Sequence, residues 1–241
     1  MRHLDLFSGI GGFALAASWV WGDEHEIVSF CDNDKAAQIV LNKHWPGVPI
    51  HDDIKTLDAT KCRGAVDLVT GGFPCQPFSS AGKRRGKADD RYLWPEMLRI
   101  IAECRPRWVL GENVAGIIPM ALSTICADLE AIGYETIPIG IPSCAVGTLF
   151  RGKRIWIIAM DPATYRRRFS IGNSGRVVPV PQWNEFINVV HKALESAIPA
   201  GKRGRMSDGI SSRVHRLRLL GNAIVPQVAE QIFRAMKAVD K

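Results

Sequence analysis

Asp5-Leu6-Phe7-Ser8-Gly9-Ile10-Gly11-Gly12 follows an apolar run opening at His3 and leads into a helical pattern over residues 12–21. Glycines at a strand-to-helix turn let the backbone approach a ligand closely, and the helix N-terminus offers free N–H donors. The alternation continues outward from this turn. Strands are predicted over 3–7, 26–31, 66–70, 108–111, 135–141 and 155–160, and helices over 12–21, 35–44, 93–104 and 119–132. Strands alternating with helices of this length specify an α/β sandwich with a mostly parallel sheet. Ligands of such sheets bind beyond the carboxyl ends of the strands. Residues 161–212 break the rhythm with Arg166-Arg167-Arg168, a proline pair at Pro179 and Pro181 and a basic run over 200–205, and read as a small insert. Val225, Val228, Ala229, Ile232, Phe233 and Met236 then recur at helical spacing, so a closing amphipathic helix is expected to pack back on the body.

Several acids fall in register with the glycine turn. Asp32 ends the second strand, where a carboxylate accepts hydrogen bonds from ribose hydroxyls. Asp53 and Ile54 end the next extended segment and suit an adenine edge and face. A G-x-x-x-x-G-K-[ST] cradle for a triphosphate is missing from the turn. A nucleoside-type cofactor is the reading these positions favour.

Gly71-Gly72-Phe73-Pro74-Cys75-Gln76-Pro77-Phe78-Ser79 places one thiol on a two-proline loop directly after the predicted strand at 66–70. A thiol in that setting suits a nucleophile better than a packing residue. The other cysteines, Cys31, Cys62, Cys104, Cys126 and Cys144, are widely spaced with no C-x-x-C pair and read as small core fillers. That spacing argues against a disulfide framework and against a zinc site, so no metal is expected.

The 241 residues allow one large domain, and 46% hydrophobic content is ordinary for a chain with a real core. No apolar run approaches the roughly 18 residues of a membrane span, and the N-terminus lacks a signal-peptide layout. A cytoplasmic protein without membrane contact is expected. The net charge of +7 is uneven. Residues 1–150 carry 14 Lys/Arg against 18 Asp/Glu, a balance of −4, and residues 151–241 carry 17 against 6, a balance of +11. A basic C-terminal third suits a polyanion, nucleic acid foremost, although a solvated cationic face has the same composition.

Four blocks together resemble the DNA (cytosine-5) methyltransferases: D-L-F-S-G-I-G-G from Asp5, G-F-P-C-Q-P-F-S from Gly72, E-N-V from Glu112 and G-N-A from Gly221, in that order. The likeness, to a small bacterial or phage-like member, spans nearly the whole chain and is weakest over 161–212. It implies a Rossmann-like S-adenosylmethionine-dependent sandwich in three parts: a catalytic and cofactor-binding domain (1–160), a small target-recognition region (161–212) and a C-terminal segment completing the catalytic domain (213–241). It implies S-adenosyl-L-methionine held by Phe7, Gly9, Gly11, Gly12, Asp32, Asn33, Asp53, Ile54, Leu93, Asn222 and Ala223. Asn33 stands where the family often has an aromatic residue. Duplex DNA is the implied partner, with a cognate restriction endonuclease where the enzyme protects its own genome, and a monomer is the expected state.

The resemblance also assigns the chemistry. Cys75 adds to carbon 6 of a cytosine extruded from the helix, and the ring then becomes nucleophilic at carbon 5. Glu112 binds the base at N3 and the exocyclic amine, Asn113 orients the loop, and Arg154 reaches O2. Gln76, Ser79, Lys83, Arg84, Arg85, Arg151 and Lys153 are the expected nucleic-acid contacts. Phe150 and Gly152 replace polar or charged family residues beside Arg154. The short recognition region predicts a short or relaxed target sequence. Two competing readings are a methyltransferase-derived DNA-binding protein without catalysis and the same chemistry on RNA.

Overall fold

The computed structural model describes residues 1–74, 92–146, 152–162 and 223–240. Seven strands form one sheet: β1 (Arg2–Leu6), β2 (Glu26–Cys31), β3 (Ile50–His51), β4 (Leu68–Gly71), β5 (Trp108–Val114), β6 (Glu135–Pro142) and β7 (Lys153–Met160), in the order β3-β2-β1-β4-β5-β7-β6. β1 to β5 pair in parallel, whereas β7 runs antiparallel to both its neighbours. The chain moves outward from β1 to β3, then returns to lay β4 on the other side of β1. The connections leaving β1 and β4 therefore diverge and open a crevice beyond their carboxyl ends, the place where open α/β sheets bind ligands.

Alternation along the strands buries both faces of the sheet. Leu4, Leu6, Val69, Val109, Ile155 and Ile157 face one layer, packed against α3 (Trp94–Cys104) and α4 (Ser123–Ala131) through Met97, Ile100, Ile125 and Leu129. Leu68, Trp108, Leu110, Trp156 and Ile158 face the other. There they meet Phe13, Ala17 and Trp21 of α1 (Gly12–Trp21) and Val228, Ile232 and Phe233 of α5 (Pro226–Val239). The closing helix packs back on the body, as its apolar spacing predicts. Its end is tied down by Asp240, which pairs with Arg107 and accepts from Trp108 Nε1 at 3.3 Å. α2 (Lys35–His44) begins where Asp34 Oδ1 accepts from the Ala36 N–H at 2.9 Å, an N-cap bond.

Three expectations change. Helix was predicted over 119–132, but residues Ile118–Leu122 form a π turn with Ile118 and Met120 exposed. Residues 118–120 are exposed, and the α-helix begins only at Ser123, burying Ile125 and Leu129. β7 starts at Lys153 rather than 155 because β6 extends to Pro142 and pairs with it. Cys144 is exposed and is no core filler, while Cys62 and Cys126 are half-buried. Of the 161–212 region, all but the first two residues lie outside the described residues.

Gly11 has φ +80°, and a Cβ added there would lie 2.4 Å from the Trp45 ring. Gly11→Ala therefore combines backbone strain with a clash against an indole wedged beside Phe30. A loss of about 2–4 kcal/mol is expected in urea unfolding, partly recovered in the Gly11→Ala/Trp45→Leu double variant.

Candidate active site

The crevice between β1 and β4 is built first by the glycine turn. Phe7 leaves β1 with φ 51°, a left-handed conformation that costs a non-glycine residue about 1 kcal/mol and usually marks a functional turn. Asp32 braces the turn: its Oδ2 accepts from the Gly9 N–H at 2.7 Å and its Oδ1 from the Asp34 N–H at 2.8 Å. The three glycines differ in what they face. A Cβ on Gly9 would meet nothing within 4 Å, whereas on Gly11 it would strike Trp45 and on Gly12 the Ile224 side chain at 2.7 Å. Gly9 thus looks onto open space, while Gly11 and Gly12 are glycines because protein packs on them. Contact between Gly12 and Ile224 brings the C-terminal segment onto the turn, and Ala223 packs with Ile10, Ala37 and Val40.

Phe7 and Leu93 pack against one apolar cluster that contains buried Ile54. Asp53 is exposed and its Oδ1 accepts from the Lys55 N–H at 2.9 Å, closing a tight turn after β3. Asn33 is exposed. Phe7, Ile54 and Leu93 thus share one core cluster, and Gly9 and Asp32 are joined by a hydrogen bond. Asn222 lies outside the described residues.

The other half of the crevice is Glu112 with its neighbours. β5 carries Glu112 and Asn113 at its carboxyl end, and the antiparallel register of β7 sets Arg154 opposite Val114. Arg154 Nε stands 3.4 Å from Glu112 Oε1, close enough for charge attraction, yet this oxygen has no hydrogen-bond partner among the described residues. Burial pushes the Glu112 carboxyl up to about 7, with Arg154 pulling the other way. A carboxyl at that value holds or releases its proton at neutral pH. Asn113 Nδ2 donates to the Phe73 carbonyl at 3.1 Å and its Oδ1 accepts from the Val114 N–H at 2.9 Å. The base of the cysteine loop is thereby pinned to β5. A Cβ on Gly72 would come within 3.6 Å of Glu112 Oε2, so the loop starts directly beside this carboxyl. Cys75, Gln76, Ser79, Lys83, Arg84, Arg85, Phe150 and Arg151 lie outside the described residues, and Lys153 and Gly152 are exposed at the start of β7.

Sequence reading missed a buried polar chain beneath the turn. His3 Nε2 meets Thr70 Oγ1 at 2.7 Å, Thr70 donates to Asp5 Oδ1 at 2.6 Å, and His3 Nδ1 meets His25 Nε2 at 3.1 Å. Burial drives the His3 imidazole well below its ordinary range and the Asp5 carboxyl well above its own. This buried chain links β1 to β4 under the crevice. Strand positions 3, 5 and 70 share one face by period two, but only the fold brings the two strands together.

The model of the C-5 cytosine-specific DNA methylase family matches residues 1–202. A type II methyltransferase, M.PspPI of Psychrobacter, is 42% identical over 138 residues, covering 55% of this chain and 32% of that protein. M.HgiCII of Herpetosiphon aurantiacus, another type II methyltransferase, is 32% identical over 165 residues, covering 66% of this chain and 37% of that protein. The chain spans about a third of the length of these curated relatives. Among solved structures, the Schizosaccharomyces pombe Dnmt2 methyltransferase shares the fold with a TM-score of 0.69 at 19% identity, covering 100% of both chains. With the family model spanning most of its length, the chain belongs to the C-5 cytosine-specific DNA methylases.

Proposed function

We propose that the protein is a DNA (cytosine-5-)-methyltransferase that moves a methyl group from S-adenosyl-L-methionine to carbon 5 of an extruded cytosine through a Cys75 adduct. The observation that carries this reading is the Glu112 carboxyl: buried, shifted to about 7, lacking a hydrogen bond at Oε1 among the described residues and adjoining the loop that leads to Cys75. A protonated carboxyl offers one O–H donor and one acceptor side by side. Cytosine presents the matching pair, an acceptor at N3 and a donor at the exocyclic amine.

The residues along the glycine turn fit the cofactor. Gly9 leaves backbone room, Asp32 stands at the strand end suited to a ribose, and Phe7, Ile54 and Leu93 form an apolar wall. S-adenosylmethionine supplies an electrophilic methyl group. The protein's own residues prepare the base to accept it. The Cys75 thiolate adds its electron pair to carbon 6, and Glu112 hands its proton to N3 so that negative charge does not accumulate on the ring. Arg154, 3.4 Å from Glu112, is within reach of the same base edge. After methylation a base, such as water, removes the carbon-5 proton, the sulfur leaves carbon 6 as the 5,6 double bond re-forms, and N3 returns its proton to the Glu112 carboxylate.

Duplex DNA is the proposed substrate, docked against the basic C-terminal third, with residues 161–212 reading the target. The named type II relatives favour a cognate restriction endonuclease as partner. Among the described residues no helix is long and apolar enough to cross a membrane.

Radiolabelled methyl transfer from S-adenosylmethionine to duplex DNA, to RNA and to duplex DNA carrying 5-fluorocytosine tests the reading. Label in duplex DNA and a trapped covalent protein–DNA adduct on the fluorinated substrate are expected. Label confined to RNA would move the substrate class, and binding of DNA without transfer to any polymer would leave only the DNA-binding reading.

A further inference from the structure

The connection from β3 to β4 runs through residues 52–67, and among them only a short 3-10 turn at Thr60–Cys62 is regular. Loops of that length without structure of their own are usually functional or loose. This one carries the proposed adenine wall, Asp53 and Ile54, so something must hold it. α3 does so through its side chains, Arg99 above all. Arg99 Nη2 donates to the Ile54 carbonyl at 2.7 Å and Nη1 to the Leu57 carbonyl at 3.0 Å. The guanidinium is itself aimed by two carboxylates on its own helix, Glu96 Oε2 at 2.9 Å from Nε and Glu103 Oε1 at 2.8 Å from Nη1. Glu103 in turn accepts from the Ala59 N–H at 3.0 Å, extending the grip further along the loop.

The geometry points to Arg99 as a positioning residue for the cofactor: it sets the Asp53–Ile54 wall through the Ile54 carbonyl without touching the cofactor. The inference rests on the cofactor reading given above. Its planar fork serves two carbonyls and two carboxylates at once, which a lysine ammonium cannot reproduce. Losing it frees two backbone carbonyls of a loop whose Ile54 and Leu57 side chains remain anchored in the core. The expected damage is therefore to the placing of the wall rather than to the fold.

The test is calorimetric titration of the full chain with S-adenosylhomocysteine, for wild type, Arg99→Gln and Arg99→Lys, together with steady-state methyl transfer and urea midpoints. Arg99→Gln is expected to weaken S-adenosylhomocysteine binding and raise KM for S-adenosylmethionine about tenfold or more. Unchanged KM for DNA and near-normal kcat at saturating cofactor are expected alongside, with Arg99→Lys intermediate. Wild-type cofactor affinity in Arg99→Gln overturns the inference. So does a loss shared equally by the DNA KM, kcat and the urea midpoint, which would make Arg99 a residue of the fold alone. A wild-type protein that binds no S-adenosylhomocysteine overturns the cofactor reading itself, and the inference with it.

Discussion

Glu112→Gln is expected to cut methyl transfer about a thousandfold while making the free protein more stable above pH 7. The amide keeps the carboxyl's shape and its donor–acceptor pair, so base binding survives, but it has no proton to give to N3. The stability gain follows from burial. The Glu112 carboxyl titrates near 7 in the folded protein against an ordinary 4.5, so the folded state holds the proton more tightly than the unfolded chain. Below pH 4.5 both states are protonated and no cost exists. As pH rises from 4.5 to 7 the unfolded state ionises first and stability falls, reaching a full cost of about 3 kcal/mol above pH 7. Glutamine removes that cost, less whatever Arg154 loses with its counter-charge. Urea midpoints at pH 5 and pH 8 should show the variant gaining much more on wild type at the higher pH. A variant that transfers methyl groups normally, or gains equally at both pH values, would contradict the assignment. Wild-type activity should fall on the alkaline side of 7 as the proton is lost, and that limb should disappear from the residual activity of the variant.

Cys75→Ser should reduce transfer to background, at least about four orders of magnitude, with S-adenosylmethionine binding nearly unchanged. A thiol with pKa of about 8.5 is partly ionised near neutrality, whereas an alcohol is not, so serine leaves nothing able to add to carbon 6. The cofactor contacts proposed here come from Phe7, Asp32, Ile54 and Leu93, on other elements, and do not involve the substituted atom. Labelled transfer, adduct trapping on 5-fluorocytosine DNA and calorimetry with the cofactor separate the two properties. Full turnover by the serine variant would overturn covalent catalysis.

Much of the sheet was legible because its signals are local. The glycine turn after β1, the β-branched run in β7 and the helical spacing of α1, α2 and α5 each lie within one short window. Glu112 and Asn113 were legible only as the E-N-V block of the family resemblance, because the predicted strand stopped at 111 whereas β5 runs on to Val114. What remained hidden depends on residues distant in sequence. Arg99 looks like any basic residue on an amphipathic helix, and its partners are backbone carbonyls 45 and 42 residues away. His3 and Thr70 meet only because β4 returns beside β1. The packing of Trp45 on Gly11 and of Ile224 on Gly12 was hidden for the same reason, because both partners are distant in sequence.

The insertion of β7 between β5 and β6 has a consequence for how the protein is made. β5 is complete at Val114 with β4 on one side, but the neighbour on its other edge begins only at Lys153, after β6 has been synthesised. A nascent chain therefore carries an open strand edge on its newest β-structure, the kind that pairs with other chains. The sheet from β3 to β4 depends on earlier sequence alone, whereas Glu112 and Arg154 come together only when β7 slides into place. The charge pair of the site is consequently a late product of synthesis, and the interval before it forms is when the growing chain is most open to misassociation.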